Sequence, residues 1–232
     1  MRSSQSVSVM SGHDVNATRV IASVLGVVAG LSGLDHGFFE TLQGNAPTPG
    51  LFVQSIGPAQ RMWLYGTEDA FSLIPNFLAT GILAIAVGLL VIVWSIGFIG
   101  RPYGSRVFVG LGALLFLVGG GVALVGFVVL CWAVSTRIDR PPAWVRNAGA
   151  GIPARLARLW LGALVRSLML AAVALEIAIF GFVPGVTDPN QVQAICWLAL
   201  GIMLVPLALA IVGGFAHDIN RSAVRARPEA SR

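Results

Sequence analysis

Five long blocks of apolar residues alternate with shorter polar segments along the chain. The blocks cover about residues 20–39, 70–99, 107–135, 159–182 and 192–215, and they contain few charged side chains. About 20 consecutive apolar residues are enough for a helix to cross the hydrocarbon core of a bilayer. The pattern therefore predicts an all-α fold, a polytopic transmembrane helical bundle with about five spans.

The first block is short, and the connector behind it is not uniformly polar. Because the first helix is short for a span, the sequence leaves open whether residues 20–39 cross the membrane or re-enter it. In the connector, segments 51–56 and 62–65 are apolar and lie among several prolines. We therefore expect a re-entrant or interfacial segment between spans one and two.

The polar flanks divide the chain into three parts. Residues 1–19 are Ser-rich and show no periodicity, which predicts a disordered N-terminal tail. Residues 20–216 are expected to form a single transmembrane helical domain. Residues 217–232 are rich in arginine and are predicted to form a basic cytoplasmic tail.

Small residues mark helix faces that can pack closely. Ala22, Gly26 and Gly30 recur at every fourth position, so they share one face that another helix can approach. The run Gly119–Gly121 indicates either a kink or a packing patch, and we favour packing. Gly-rich faces of this kind predict a homo-oligomer or a complex with another membrane subunit.

The composition limits the class of partner. Of 232 residues, 56% are hydrophobic and 11% are charged, whereas about 25% are charged in ordinary soluble domains. The chain has no room for a soluble domain of useful size, and the lipid bilayer is its main surroundings. The net charge of +5 comes from arginines in short loops and the tail. No aromatic residues are interleaved along a basic surface, so nucleic acid is not an expected partner.

The arginines also predict an orientation. If the chain crosses five times, ten arginines lie on the side of the C-terminus and four on the opposite side. Basic loops remain in the cytoplasm. We therefore expect a cytoplasmic C-terminus and an external N-terminus. If residues 20–39 re-enter instead of crossing, both termini are cytoplasmic.

Ionisable residues other than arginine are concentrated near the span ends. With five alternating spans, the end of the first, the start of the second and the end of the fifth lie at the cytoplasmic side. The candidate polar cluster at that level consists of Asp35, His36, Glu40, Glu68, Asp69, His217 and Asp218. Imidazole and carboxylate groups together can bind a metal or relay protons. Each residue also has an ordinary role at a helix end, where the helix dipole favours acids at the start and histidines at the finish.

Three members of this cluster form a candidate metal set. His36 and Glu40 are four residues apart and share a helix face, and His217 would join them from the fifth span. A tetrapyrrole held by His36 or His217 is an alternative. The cofactor, if there is one, is thus a metal ion or a tetrapyrrole.

Glu176 is a candidate intramembrane acid. It lies inside the block 159–182, where a carboxylate is costly unless it is neutral, paired or facing a cavity. The sequence leaves two interpretations open, a functional acid and a neutral packing group.

Catalytic motifs do not point to a reaction. The chain lacks the HExxH, Gly-rich phosphate-loop and Gly-x-Ser-x-Gly patterns, so no catalytic residue is assigned. We predict a non-enzymatic, membrane-embedded binding or accessory subunit. The alternative is an intramembrane metal-dependent enzyme, or a proton- or ion-coupled carrier, that uses the Asp/His/Glu cluster.

Three stretches resemble a known group of proteins. The sequences GLDHGFFETLQGN, IGPAQRMW and GTEDAFSLIPNFLATGILAI resemble a family of multi-pass bacterial membrane proteins without an assigned activity. The resemblance covers about residues 33–184. It implies a bacterial plasma membrane and carries no site or ligand to this chain.

Overall fold

A computed structural model describes residues 16–147 and 151–226. Most of the predicted tail 1–19 and the end of the predicted tail 217–232 lie outside these ranges. The described residues form α1 (Ala17–Leu42), β1 (Phe52–Gln54), β2 (Asp69–Phe71), α2 (Phe77–Gly97), α3 (Gly104–Leu117), α4 (Leu124–Ser135), α5 (Ala143–Asn147), α6 (Gly151–Phe180) and α7 (Pro189–Ala226). The predicted all-α helical bundle is confirmed. Four of its helices, α1, α2, α6 and α7, are long and apolar enough to cross a membrane, so the chain is a membrane protein.

Glycines bring α1 and α2 into contact along their length. The carbonyl of Gly81 lies 2.6 Å from where a Cβ would stand at Gly37, and the carbonyl of Gly88 lies 2.7 Å from the corresponding point at Gly30. Any side chain at these positions would collide with backbone, so only glycine permits this approach. The small-residue face of α1 is therefore occupied by α2 within the chain, and association through Gly-rich faces stays a prediction.

The connector between α1 and α2 holds a β hairpin. β1 and β2 pair antiparallel, with Val53 opposite Ala70. The loop between the strands reaches the far pair of helices, because Trp63 Nε1 donates a hydrogen bond to the carbonyl of Ala178 on α6 at 2.9 Å. A small sheet thus stands where the sequence predicted a re-entrant or interfacial segment.

α2 begins at Phe77, later than the hydropathy pattern predicted. Asn76 is its N-cap and accepts a hydrogen bond from the amide of Ala79 at 3.1 Å. Pro75 disfavours a helical conformation in the residue before it. Residues 69–71 pair with β1 as a strand, so Glu68 and Asp69 lie ahead of the helix and not at the start of the second span.

The predicted third span, 107–135, is two short helices rather than one. α3 runs parallel to α1, because a Cβ at Gly26 would meet Phe108 and one at Gly33 would meet Leu115. α3 has 14 residues and α4 has 12, fewer than the 20 or so that a span requires.

α4 returns in the opposite direction. The Sγ of Cys131 lies 3.2 Å from the carbonyl oxygen of Ala22, whereas the start of α4 lies near the other end of α1. Gly112 of α3 faces Val128 of α4, as expected for two antiparallel arms. α3 and α4 therefore form a helical hairpin that enters and leaves at the same end of the bundle.

The turn of this hairpin is built on glycine. Gly119 and Gly121 have φ of 102° and 91°, a region that residues with a Cβ rarely adopt. The amide of Gly119 donates to the carbonyl of Phe71 at 3.1 Å, and the amide of Val122 donates to that of Asp69 at 3.0 Å. The turn thus lies along the free edge of β2, and the glycine run breaks the helix.

These directions divide the bundle into two ends. One, here called the arginine end, contains residues 16–19, 98–106, 136–147, the start of α6 and the end of α7. The other, the loop end, contains residues 36–76, 118–123 and 181–192. Asn16 donates to Asp139 at 3.0 Å, and the amide of Ala17 donates to Asp218 at 2.9 Å. Both ends of the described chain therefore lie together, and the five-span alternation is wrong.

The arginines follow this division closely. Arg61 is at the loop end, and Arg166 lies within α6. The remaining described arginines are at the arginine end: Arg19, Arg101, Arg106, Arg137, Arg140, Arg146, Arg155, Arg158, Arg221 and Arg225.

Candidate functional site

Four polar side chains from three segments meet inside the loop end. His36 and Glu40 lie in the last two turns of α1, Ser55 follows β1, and Glu68 precedes β2. Ser55 and Glu40 have no exposed surface, and His36 is 4% exposed. Glu68 is partly exposed, with 21% of its side chain accessible.

These side chains form one continuous hydrogen-bonded row. His36 Nε2 lies 2.6 Å from Glu68 Oε2, and His36 Nδ1 lies 2.9 Å from Ser55 Oγ. The Ser55 hydroxyl lies 2.9 Å from Glu40 Oε1 and donates to it. The row thus runs from a partly exposed carboxylate, through a buried imidazole and a hydroxyl, to a fully buried carboxyl group.

The α3–α4 turn packs directly against the row of side chains. A Cβ at Gly119 would stand 2.6 Å from Glu40 Oε2 and 2.7 Å from Thr80 Oγ1, and a Cβ at Gly121 would collide with the His36 ring. Both positions therefore need glycine for contact as well as for backbone conformation.

One atom of the site lacks a partner. Among the described residues, no donor meets hydrogen-bond geometry toward the buried Glu40 Oε2, although the Thr80 hydroxyl lies beside it. The nearby Thr80 hydroxyl already donates to the carbonyl of Val118 at 2.6 Å and also contacts Ser72 Oγ at 2.6 Å. A buried carboxylate oxygen without a donor is unfavourable by roughly 1–3 kcal/mol or more, so this corner of the site calls for a further hydrogen atom or a cation.

Asp35 and Asp69 are peripheral to this row. Asp35 is half-buried and close enough to Glu68 and His36 for their charges to act on it. Asp69 is exposed in β2, and its backbone carbonyl accepts from Val122. The described contacts give neither carboxylate a hydrogen bond to the row.

His217 and Asp218 lie at the arginine end instead. The Asp218 carboxylate accepts hydrogen bonds from the amides of Ala17 and Thr18, both at 2.9 Å, and from the Thr18 hydroxyl at 2.6 Å. It thus satisfies the free amides at the start of α1. The His217 ring lies 5.8 Å from the ring of Trp160. These residues are about 27 Å from His36, since 18 residues of α1 separate the two levels at 1.5 Å each.

The candidate metal set is separated by this geometry. His36 and Glu40 share the row, but His217 cannot reach them, because helix direction, not hydropathy, decides which span ends meet. Across residues 16–147 and 151–226, no three His, Cys, Asp or Glu side chains converge as a metal site requires.

Glu176 is exposed on α6, four residues before the end of the helix. It is nearer the loop end than the hydropathy pattern indicated and does not contact the row. Both interpretations of this acid stay open.

Toward the arginine end, the polar groups of α1 stop at His36. On the helix before it, Gly33 faces Leu115, and Gly30 faces Ile92 and the Gly88 backbone. The next buried polar side chain in that direction, Ser95, donates to the Val91 carbonyl within its own helix. The polar path is therefore open toward the loop end and closed toward the arginine end.

Sequence reasoning missed Ser55, Ser72, Thr80 and the two contact glycines. A serine in a connector is common and carries no signal of its own, and its position depends on the register of β1 with β2. Only the glycine run was conspicuous.

Comparison of the chain with protein-family models, curated proteins and solved structures finds no match. The resemblance to multi-pass bacterial membrane proteins therefore stays a prediction.

Proposed function

We propose that the protein is a non-enzymatic, membrane-embedded binding protein whose site is the row Glu68–His36–Ser55–Glu40. The observation that carries this proposal is the buried Glu40 Oε2, which lacks a donor in a site otherwise matched group by group. Native structures rarely leave such an atom unsatisfied without a functional reason. A binding site, rather than a passage, accords with the apolar contacts of α1 between His36 and the arginine end.

The ligand class follows from the charges of the site. Glu40, Glu68 and Asp35 contribute three carboxyl groups against one imidazole, and nearly all described arginines lie at the other end. A small cationic ligand is therefore favoured, a class that includes the proton and excludes anions.

A thermal-shift series tests this proposal. Purified full-length protein is heated across a range of pH and, at fixed pH, with monovalent cations, divalent cations and small amines. At least one condition should raise the melting temperature of the wild type by several degrees and have no such effect on Glu40→Gln. Glu176→Gln, an exposed acid on α6, is the matched control and should behave as wild type. Equal responses in all three proteins would overturn the proposal.

We also infer that the arginine end faces the cytoplasm, because basic segments are retained there. The site then opens to the outside of a bacterial plasma membrane, and the C-terminal tail is cytoplasmic as predicted. Thr187→Cys at the loop end should react with an impermeant maleimide in intact cells, whereas Ser222→Cys should react only after lysis. The reverse pattern would overturn this orientation.

A proton- or ion-coupled carrier is the second candidate. It is favoured by the α3–α4 hairpin, which reaches the site from the opposite end, since broken helices often form the sites of transporters. Uptake of protons or cations into liposomes that contain the protein, lost in Glu40→Gln, would favour this candidate. Binding without uptake would favour the first.

A further inference from the structure

We propose that the ligand of this site is a proton, which reaches Glu40 through His36 and Ser55 and is held on Oε1 facing Ser55. This inference rests on the proposed function and specifies its ligand. It starts from a count of hydrogen atoms along the row.

The count fixes the donors around Ser55. A serine hydroxyl has one hydrogen to donate, and Ser55 donates it to Glu40 Oε1 at 2.9 Å. His36 Nδ1, which lies 2.9 Å from the same oxygen, must then be the donor of that contact. The second ring nitrogen lies 2.6 Å from Glu68 Oε2, so one further proton lies between His36 and Glu68.

The same heavy-atom positions accept a second proton arrangement. In a concerted shift, the proton on His36 Nδ1 passes to Ser55 Oγ while the Ser55 hydroxyl proton passes to Glu40 Oε1. The imidazole keeps its proton on Nε2, opposite Glu68, and Glu40 becomes a carboxylic acid. No atom besides hydrogen has to move, and each contact of the row keeps one donor and one acceptor.

The shift leaves Glu40 as a neutral acid. The hydrogen on Oε1 donates to Ser55 Oγ, and the Ser55 hydroxyl donates to His36 Nδ1. His36 keeps its proton on Nε2, opposite Glu68, so the row delivers one proton to Glu40. Protonation removes the negative charge from the buried carboxyl group, so Oε2, which lacks a donor, is no longer a carboxylate oxygen.

The surroundings of Glu40 are close and contain few charges. The backbone of Gly119 lies near Oε2, since a Cβ at this glycine would stand 2.6 Å from that oxygen. α2 and the α3–α4 turn present no charged side chain to Glu40. The charged groups that face this region are His36 and Asp35 on α1 and Glu68 on the loop.

Infrared spectroscopy of the full-length protein in liposomes tests the inference. A protonated carboxyl group absorbs separately from a carboxylate, so lowering the external pH should produce a carboxylic-acid band in the wild type. Other carboxyl groups also protonate, so we compare pH-difference spectra. We expect Glu40→Gln to lack one carboxylic-acid component that the wild type shows and that Ser55→Ala, which keeps every carboxyl group, retains. Identical difference spectra of the wild type and Glu40→Gln would overturn the inference.

The route is tested by rates. After a pH jump, Ser55→Ala should slow the appearance of the Glu40 band by about 100-fold, the order of the effect of a positioned proton donor. Ser135→Ala, which removes another buried hydroxyl that bonds only within α4, should leave the rate unchanged. Equal rates in the two variants would exclude the route through Ser55.

The thermal-shift series keeps the two proposals distinguishable. Stabilisation by a metal cation or an amine that depends on Glu40, without a carboxylic-acid component that depends on Glu40, would leave the binding function in place and refute the proton as its ligand. No response to pH, cations or amines would refute both.

Discussion

Two carboxyl groups lie at opposite ends of α1, and they differ in the number of hydrogen bonds that they accept. Asp218 receives three hydrogen bonds from the first turn of the helix, so each of its oxygens has a donor. Glu40 receives one, from Ser55, and its second oxygen has none among the described residues. A carboxylate whose two oxygens both accept hydrogen bonds stabilises the structure. A buried carboxylate with one oxygen that lacks a donor can still bind a ligand. The difference separates a structural acid from a functional one more clearly than burial does.

The strongest disruption of the Glu40 end should come from Gly121→Ala. The new methyl group would collide with the His36 ring, and φ of 91° is unfavourable for alanine. Overpacking and backbone strain together should lower the free energy of unfolding by about 3 kcal/mol, measured by denaturation in detergent. Gly44→Ala is the control, since φ is 73° there but nothing lies within 4 Å. It should lose only about 1 kcal/mol, and equal losses would show that the contact with His36 is unimportant.

Asp218→Asn should lower the free energy of unfolding by less than Gly121→Ala does. Both carboxylate oxygens accept from α1, so an amide nitrogen at either place would face a donor. We expect a loss of about 2 kcal/mol in the free energy of unfolding. An unchanged stability would mean that Asp218 is not the cap described here.

Glu40→Gln should have the smallest effect, although Glu40 is the more buried acid. The amide oxygen can accept from Ser55 while the amide nitrogen, in the place of Oε2, donates toward Thr80. The free energy of unfolding should stay within about 0.5 kcal/mol of wild type, or increase. A loss comparable to that of Asp218→Asn would remove the distinction between the two acids.

The sequence predicts the long helices better than it predicts how they are arranged. α1, α6 and α7 follow from apolar runs, although each helix extends beyond the predicted block. The third block could not be interpreted correctly by hydropathy alone, because an apolar run has the same pattern whether the chain continues or reverses. Reading this block as one span reversed the predicted direction of the helices after it. His217 and Asp218 were therefore expected beside His36, whereas the structure places them at the other end of the bundle.

The site shows the same limit. The spacing of His36 and Glu40 predicts a shared helix face, because helix geometry is local. Ser55, Glu68 and Thr80 join them through strand register and a chain reversal, which depend on contacts between distant segments. No local pattern encodes those contacts.

The order in which the segments assemble follows from the α3–α4 hairpin. Its arms are too short to insert independently, and the amides of Gly119 and Val122 in its turn donate to carbonyls of β2. Backbone groups without partners are strongly disfavoured in the hydrocarbon region. During synthesis, the hairpin therefore has no stable position until α1, α2 and the small sheet are in place, so the Glu40 pocket is completed by the last of these pieces to arrive.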